Sequence, residues 1–199
     1  MSFRSSLAAC FFVTLVPFAT QAATINFDDL GNLVVVGTTY PGVTFSNART
    51  LVTGNLPGGS PSTSIVSQSD FSMPKQSNPI SAVFGSAVSF VSLTGIDVGE
   101  NGFILKAFDA MIGGNLLGST SMFGIGVGVG TFFDLSLSFS GIFRIEFSQA
   151  SSVNLEDGMV FDNLVYDVTV VPVPAAGLLL LGALGGMGML SRRRGRKAV

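Results

Sequence analysis

The chain has 199 residues, no histidine and a single cysteine, Cys10. The part of the chain after Cys10 therefore cannot form several kinds of site. These are zinc sites of the Cys/His kind, Ser-His-Asp triads, Cys/His nucleophilic sites, and haem or iron–sulfur ligation by His or Cys. The net charge of −2 hides an asymmetry, because all twelve acidic residues but only four of the ten basic residues lie between positions 23 and 170. This part carries a net charge of −8, which disfavours nucleic acid and anionic lipid as partners and suits divalent cations or neutral glycans.

The first 22 residues have the pattern of a secretory signal peptide. Arg4 precedes an apolar run at Leu7–Phe18, and small residues precede the expected cleavage between Ala22 and Ala23. Leu7–Cys10 also spells a lipoprotein box, but the apolar run continues past the cysteine, which favours an ordinary signal peptide. Removal of residues 1–22 by the secretion machinery would leave an exported domain, residues 23–170, without a cysteine and hence without a disulfide.

The exported domain reads as short strands separated by Gly, Ser, Pro and Asn. In Gly141–Ser148, one face of a period-2 pattern holds Phe143, Ile145 and Phe147, and the other holds Arg144, Glu146 and Ser148. In Asp134–Phe139 the inward positions are Leu135, Leu137 and Phe139. Further strands are predicted at Thr24–Phe27, Leu33–Val36, Val43–Phe45, Ile80–Phe84, Val88–Leu93, Phe103–Phe108, Leu116–Ser121 and Val160–Val168. This spacing predicts an all-β, antiparallel β-sandwich of the jelly-roll kind.

Carboxylates are the conventional metal-binding and catalytic groups that remain. Asp28 and Asp29 follow the first predicted strand, while Asp157 and Asp162 lie just before and within the last. If these strands pair, the four side chains could converge on a calcium ion, which takes about six to eight oxygen ligands. Alternatively, Asp28, Asp29 and Asp157 cap turns by bonding nearby backbone. No spacing fixes the carboxylate separation that a glycosidase needs, so we expect no enzyme.

Sugar binding is a further hypothesis for this domain. Sugars bind to exposed aromatic faces, yet tryptophan is absent and there are only two tyrosines. Tyr40 stands beside Pro41-Gly42 in a predicted turn and is the candidate platform. Tyr166 lies within a predicted strand and is expected in the core.

The last 29 residues combine a proline motif, an apolar segment and a basic end. The segment Ala175–Leu190 would be roughly 24 Å long as a helix, which is slightly short for a bilayer core of about 30 Å. Clustered cations directly after it argue against a buried core helix and would stay on the cytoplasmic side. We therefore predict a transmembrane helix at 175–190, followed by the basic residues Arg192, Arg193, Arg194, Arg196 and Lys197.

This terminal segment resembles the PEP-CTERM type of sorting domain, in the variant named for Val-Pro-Leu-Pro-Ala. The motif here reads Val171, Pro172, Val173, Pro174 and Ala175, with Val173 at the usual leucine position. The resemblance covers residues 171–199 and implies a Gram-negative envelope or extracellular protein. It also implies recognition and cleavage by a membrane exosortase, transient anchoring in the inner membrane, and a link to exopolysaccharide and biofilm matrix.

The exported domain is similar to galactose-binding-like jelly-roll domains that carry this kind of tail. The similarity rests on four short stretches, Ile25–Leu30, Tyr40–Ser46, Ala107–Ala110 and Gly158–Tyr166. It implies a sandwich whose first and last strands lie side by side. Together these features favour a structural or adhesive protein of the envelope or extracellular matrix. A calcium-dependent carbohydrate-binding module is the alternative, and a glycoside hydrolase is least favoured.

Overall fold

The computed structural model describes residues 20–53, 63–71, 76–128 and 130–169. Within these ranges the chain forms nine β-strands and no helix, and every strand pair with a defined register is antiparallel. The predicted all-β, antiparallel architecture is therefore confirmed. The strands are β1 (Thr20–Ile25), β2 (Val43–Ser46), β3 (Ala48–Val52), β4 (Thr63–Ser67), β5 (Ile80–Ile96), β6 (Phe103–Phe108), β7 (Leu116–Met122), β8 (Phe132–Gln149) and β9 (Val160–Thr169).

The two longest strands, β5 and β8, pair along most of their length and take part in two layers. The first part of β5 pairs with β2 and with the second part of β8, which in turn pairs with β6, and β6 with β7. The second part of β5 pairs with the first part of β8 and with β9. On its other side β9 meets β4 and β1, and β4 pairs with β3. The first and last strands, β1 and β9, thus lie side by side, as expected.

The change of layer occurs where the β5–β8 register shifts, between Val83 and Phe90. Gly141 of β8 lies opposite this region with φ of +82°, a conformation that a side chain disfavours. The burial of the residues after this bulge differs from the prediction. Ile142 is fully buried, whereas Phe143, predicted to face inward, is only half-buried.

The two layers face each other across one apolar core. Phe103 of β6 and Phe147 of β8 lie on the first layer, and their ring centroids are 5.5 and 4.9 Å from that of Phe161 on β9 in the second layer. All three side chains are buried, and each contributes roughly 1.5–3 kcal/mol through removal of apolar surface from water. Gly95 of β5 allows this contact, because a Cβ there would lie 2.7 Å from Cδ1 of Phe103. This packing is that of a sandwich.

The sequence patterns located most strands but missed some boundaries. Ile80–Phe84 and Val88–Leu93 are parts of one strand, as are Asp134–Phe139 and Gly141–Ser148. The inward placement of Leu135 and Leu137 is confirmed. The strand predicted at Leu33–Val36 is wrong. Leu33 has φ of +63°, which interrupts an extended strand, and only Val35 forms a bridge, to Arg49.

The two segments predicted to direct export and sorting lie mostly outside the described residues. These are the predicted signal peptide up to position 19, the motif Val171–Ala175, the helix predicted at 175–190 and the basic tail. Ala22 and Ala23, the expected cleavage pair, lie inside β1. In the part of the chain that the structure describes, no helix has the length and apolarity needed to cross a membrane.

Candidate functional site

The outward face of the first layer carries two rows of side chains that cross five strands. Their sequence neighbours Phe45, Ala82, Ile145 and Ala107 point into the core, so alternation directs these residues outward. Cross-strand partners define the rows. The polar row consists of Ser46, Ser81, Glu146, Lys106 and Ser119. The mixed row consists of Thr44, Val83, Arg144, Phe108 and Leu116.

A groove of about 280 Å³ lies at one end of the mixed row. Thr44 and Val83 belong to its lining, together with the turn Tyr40–Gly42 and with Met111 from the loop between β6 and β7. The amide of Gly85 donates a 2.8 Å hydrogen bond to the carbonyl of Gly42, which fixes the turn against β5. The groove is therefore built on paired strands, which hold its walls in place.

Arg144 links the mixed row to the loop beside the groove. Its guanidinium lies 3.9 Å from the centroid of the Phe108 ring, forms a salt bridge with Glu146 and donates a 2.8 Å hydrogen bond to the carbonyl of Gly113. With only 12% of its side chain exposed, Arg144 is held on several sides. Its charge is used in these contacts, which stabilise the face, and is not free to bind a ligand.

The loop between β6 and β7 is closed by a carboxylate–amide clamp. Oδ1 of Asp109 accepts a 2.7 Å hydrogen bond from the backbone amide of Asn115, and Oδ2 accepts one of 2.9 Å from its side chain. Both hydrogen bonds lower the pKa of Asp109, and the bond from the side-chain amide of Asn115 has the larger effect. The clamp brings the two ends of the loop together and so positions Met111 beside the groove.

Tyr40, the predicted sugar platform, lines the groove but is not an exposed aromatic face. Its ring is half-buried and lies edge-on to Phe27 and Phe45. Its hydroxyl donates a 2.5 Å hydrogen bond to Asp29. Burial, this bond, and the charges of Asp29, Asp28 and Asp162 raise the pKa of the phenol above its ordinary value. Tyr40 therefore shapes the groove as a fixed wall.

A second depression of about 360 Å³ adjoins the groove and shares Pro41, Gly42, Phe84 and Gly85 with it. Tyr166 contributes from β9 and is buried, as expected of a core residue. Asp167 is the acidic residue of this lining. Burial raises its pKa, but hydrogen bonds from Ser89 and from the amide of Phe90 outweigh this effect and lower it.

The carboxylates predicted to bind calcium occupy two different places. The charges of Asp28, Asp29 and Asp162 all raise the pKa of Tyr40, which places these three carboxylates near its phenol. Asp157 instead accepts a 2.7 Å hydrogen bond from the amide of Asn101. Asp28 also accepts a 3.1 Å hydrogen bond from the amide of Thr63. Among the described residues, no group of three or more Asp, Glu, His or Cys is arranged to hold a metal ion. Calcium binding remains a prediction, without a site of this kind to support it.

Asp157, like Asp162, has no exposed surface. Oδ1 of Asp157 is buried and has no hydrogen-bond partner among the described residues. Burial raises its pKa, the amide of Asn101 lowers it, and the nearby charges of Glu100 and Asp97 raise it further. The net shift is upward, so the neutral acid is favoured relative to an exposed aspartate.

Sequence reasoning placed Arg144 and Glu146 on an outward face but did not recognise the site. Lys106, Phe108 and Met111 were missed because their proximity depends on the order β5–β8–β6, which joins distant parts of the chain. One signal was available in the composition. Two of the four basic residues between positions 23 and 170, Lys106 and Arg144, fall at outward positions of period-2 strands.

Comparison with known proteins gives a likeness in fold. No protein-family profile matches the chain, and no curated protein matches it. The K2 cleaved adhesin domain of Lys-gingipain matches with 10% identity and a TM-score of 0.50, over 73% of this chain and 99% of that one. The K1 adhesin domain of Lys-gingipain from Porphyromonas gingivalis W83 has 8% identity and a TM-score of 0.45, over 75% and 98%. A family 29 carbohydrate-binding module from Piromyces equi has 10% identity and a TM-score of 0.40, over 73% and 90%.

At these identities a comparison bears on the fold alone. The K2 adhesin domain is aligned over nearly its whole length, which agrees with the two packed layers described above. The chain thus has a β-sandwich fold similar to that of this adhesin domain.

Proposed function

We propose that this chain is an exported, non-enzymatic adhesive protein that binds polysaccharide in the groove beside Tyr40 and Met111. The groove itself is the observation that carries the proposal. It is about 280 Å³ in volume and adjoins a second depression of about 360 Å³, which brings the combined space into the range of ordinary ligand sites, about 300–1,000 Å³. A polymer could follow the two depressions across the turn that they share.

The chemistry of the groove favours binding over hydrolysis. Glycoside hydrolysis requires two carboxyl groups at a set separation, and the groove lining contains none. Asp167 in the adjoining depression accepts hydrogen bonds from Ser89 and Phe90, which occupy both of its oxygens. Hydroxyl groups of Thr38 and Thr44 can instead bond sugar hydroxyls, and Pro41 and Met111 can contact their apolar faces. The likeness in fold to an adhesin domain is compatible with this role.

The proposed cellular location is inferred from the signal peptide and from the sorting segment at residues 171–199. The signal peptide directs export, and the tail from Val171 is recognised and cut by an exosortase after transient anchoring in the inner membrane. The mature protein then lies in the cell envelope or extracellular matrix of a Gram-negative bacterium. Intact mass of the native protein tests this step. Loss of residues 1–22 and of the tail beyond the Val171–Ala175 motif is expected, and a retained tail would contradict processing.

Binding is tested by a substitution in the groove and a matched one elsewhere. Thr44 is exposed and lines the groove, while Ser136 is exposed on the outward side of the second layer. Thr44→Leu removes a hydroxyl and narrows the groove, so the mature protein should bind immobilised matrix polysaccharide about tenfold more weakly. This loss corresponds to one or two hydrogen bonds. Ser136→Leu should bind like the parent protein. Equal binding by both variants and the parent would exclude the groove.

A further inference from the structure

The few cations of the exported domain are unevenly placed. Four basic residues face twelve acidic ones between positions 23 and 170. Two of these four lie on adjacent strands of the outward face, Arg144 in the mixed row that ends at the groove and Lys106 in the polar row beside it. In a domain with a net charge of −8, these two cations reduce the repulsion of an anionic ligand group on this face.

The pairing of the strands gives the position of Lys106 relative to the groove. Val83 in the groove lining pairs with Arg144, and Arg144 pairs with Phe108. Lys106 is two residues from Phe108 along β6. Neighbouring strands are about 4.8 Å apart and two residues span about 6.8 Å. The Cα of Lys106 is therefore roughly 12 Å from that of Val83.

Arg144 and Lys106 differ in whether their charge is already paired within the protein. Arg144 is paired with Glu146, bonded to the carbonyl of Gly113 and stacked on Phe108. Lys106 lies across from Glu146 in the register, yet it forms no ion pair with any residue that the structure describes. Its side chain is partly exposed. The ammonium thus keeps its three donors available, and the hydroxyls of Ser81 and Ser119 belong to the same polar row.

We propose that the groove and the polar row together recognise a carboxylate-bearing polysaccharide, a uronate polymer, with Lys106 binding the carboxylate. This inference rests on the proposed function and names the class of ligand. Glu146, opposite Lys106, is already paired with Arg144. The cation of Lys106, with the hydroxyls of Ser81 and Ser119 in the same row, therefore suits one carboxylate on a sugar ring. The sugar rings themselves occupy the groove.

The test compares two polymers with one backbone. Polygalacturonate carries free carboxylates, and its fully methyl-esterified form carries none. Lys106→Met removes the charge and keeps the length of the side chain. We expect about tenfold weaker binding of polygalacturonate by this variant, the effect of losing one charge-assisted hydrogen bond, and no change for the ester. Lys106→Arg should retain most of the binding. Arg49→Met changes the net charge equally but lies on β3, and it should bind like the parent protein.

The outcomes separate the inference from the proposed function. A selective loss with Lys106→Met, absent with Arg49→Met, supports carboxylate recognition. Equal binding of the acid and the ester, or no effect of Lys106→Met, overturns it, and a remaining effect of Thr44→Leu then leaves polysaccharide binding intact. If neither these polymers nor any matrix polysaccharide binds the parent protein, the proposed function fails as well. Thermal melts of each variant establish that it is folded.

Discussion

The hydroxyl of Tyr40 donates a 2.5 Å hydrogen bond to Oδ1 of Asp29, eleven positions earlier in the chain. The ring centroid of Tyr40 lies 5.8 Å from that of Phe27, which is fully buried. Through these contacts the turn at Pro41-Gly42 is attached both to the segment after β1 and to the core. The groove wall is therefore stabilised by the same interactions that stabilise this end of the sandwich.

Tyr40→Phe separates the hydrogen bond from the ring packing. The ring contacts with Phe27 and Phe45 remain, and only the bond to the exposed Asp29 is lost. We expect the free energy of unfolding to fall by about 1 kcal/mol. Tyr40→Ala also loses the ring and should cost more. Urea denaturation measures both changes, and a Tyr40→Phe protein as stable as the parent would show that the bond contributes nothing.

The phenol of Tyr40 also predicts a loss of stability in alkali. Its pKa in the folded state lies above the unfolded value of 10.0. The folded protein therefore retains this proton where the unfolded chain releases it, and the contribution to stability is full below pH 10 and declines as pH rises further. Tyr40→Phe removes the titrating group. The difference in unfolding free energy between parent and variant should shrink between about pH 10 and pH 12. A constant difference across this range would contradict the shift.

Gly95 is predicted to be intolerant of a side chain. An added Cβ would lie 2.7 Å from Cδ1 of Phe103 and 3.0 Å from Cε of Met159, both of them buried. Relief requires the two layers to separate or Phe103 to leave its position, so Gly95→Ala should destabilise the protein by about 1–3 kcal/mol. Gly31→Ala is the control, since its Cβ would meet only Val34, at 3.8 Å. Similar melting temperatures for both variants would contradict the close contact.

Asp157→Asn is expected to stabilise the protein at neutral pH. The pKa of Asp157 is raised in the folded state, so ionisation is less favourable there than in the unfolded chain. Stability linked to this group is full below the unfolded pKa of about 3.8 and is lost as pH rises through the folded value. The amide can still accept the bond from Asn101 without carrying a buried charge. The melting temperature of the variant should exceed that of the parent at pH 7, and the gain should shrink towards pH 4.

Asp109→Asn should show the opposite pH dependence. The pKa of Asp109 is lowered by its bonds to Asn115, so its contribution to stability is present above the unfolded pKa and is lost as pH falls through the folded value. The variant should melt below the parent at pH 7 and approach it under acid conditions. Parallel melting curves from pH 3 to pH 7 test both aspartates together. A deficit that persists unchanged in acid would exclude the carboxylate as its source.

Local patterns predicted the strands well where one face is buried and the other is not. Leu135 and Leu137 were assigned to the core because their neighbours are polar. The strand prediction at Leu33–Val36 was wrong because it rested on an apolar run alone. In the structure Leu33, Val34 and Val35 are exposed, and Leu33 has a positive φ. Composition cannot reveal such a turn. The burial of Ile142 and Phe143 depends on the bulge at Gly141, which local alternation does not encode.

The candidate site was less accessible to prediction than the fold. The sequence predicted most of the contributing strands, but the groove and the polar row exist only because β2, β5, β8 and β6 lie in that order. Tyr40 and Asp29 were assigned to separate hypotheses, an aromatic platform and a metal ligand. Their hydrogen bond makes them partners. Such contacts between distant positions arise from strand order and register rather than from local composition.

The position of β9 has a mechanical consequence. This strand leads into the tail, and it is bonded to β5 on one side and to β4 and β1 on the other. A pull on the C-terminal end of β9 while the groove holds a polymer would therefore act along an interior strand. The hydrogen bonds to the neighbours on both sides are perpendicular to that direction, so they share the load. The topology thus suits a protein that remains folded under tension.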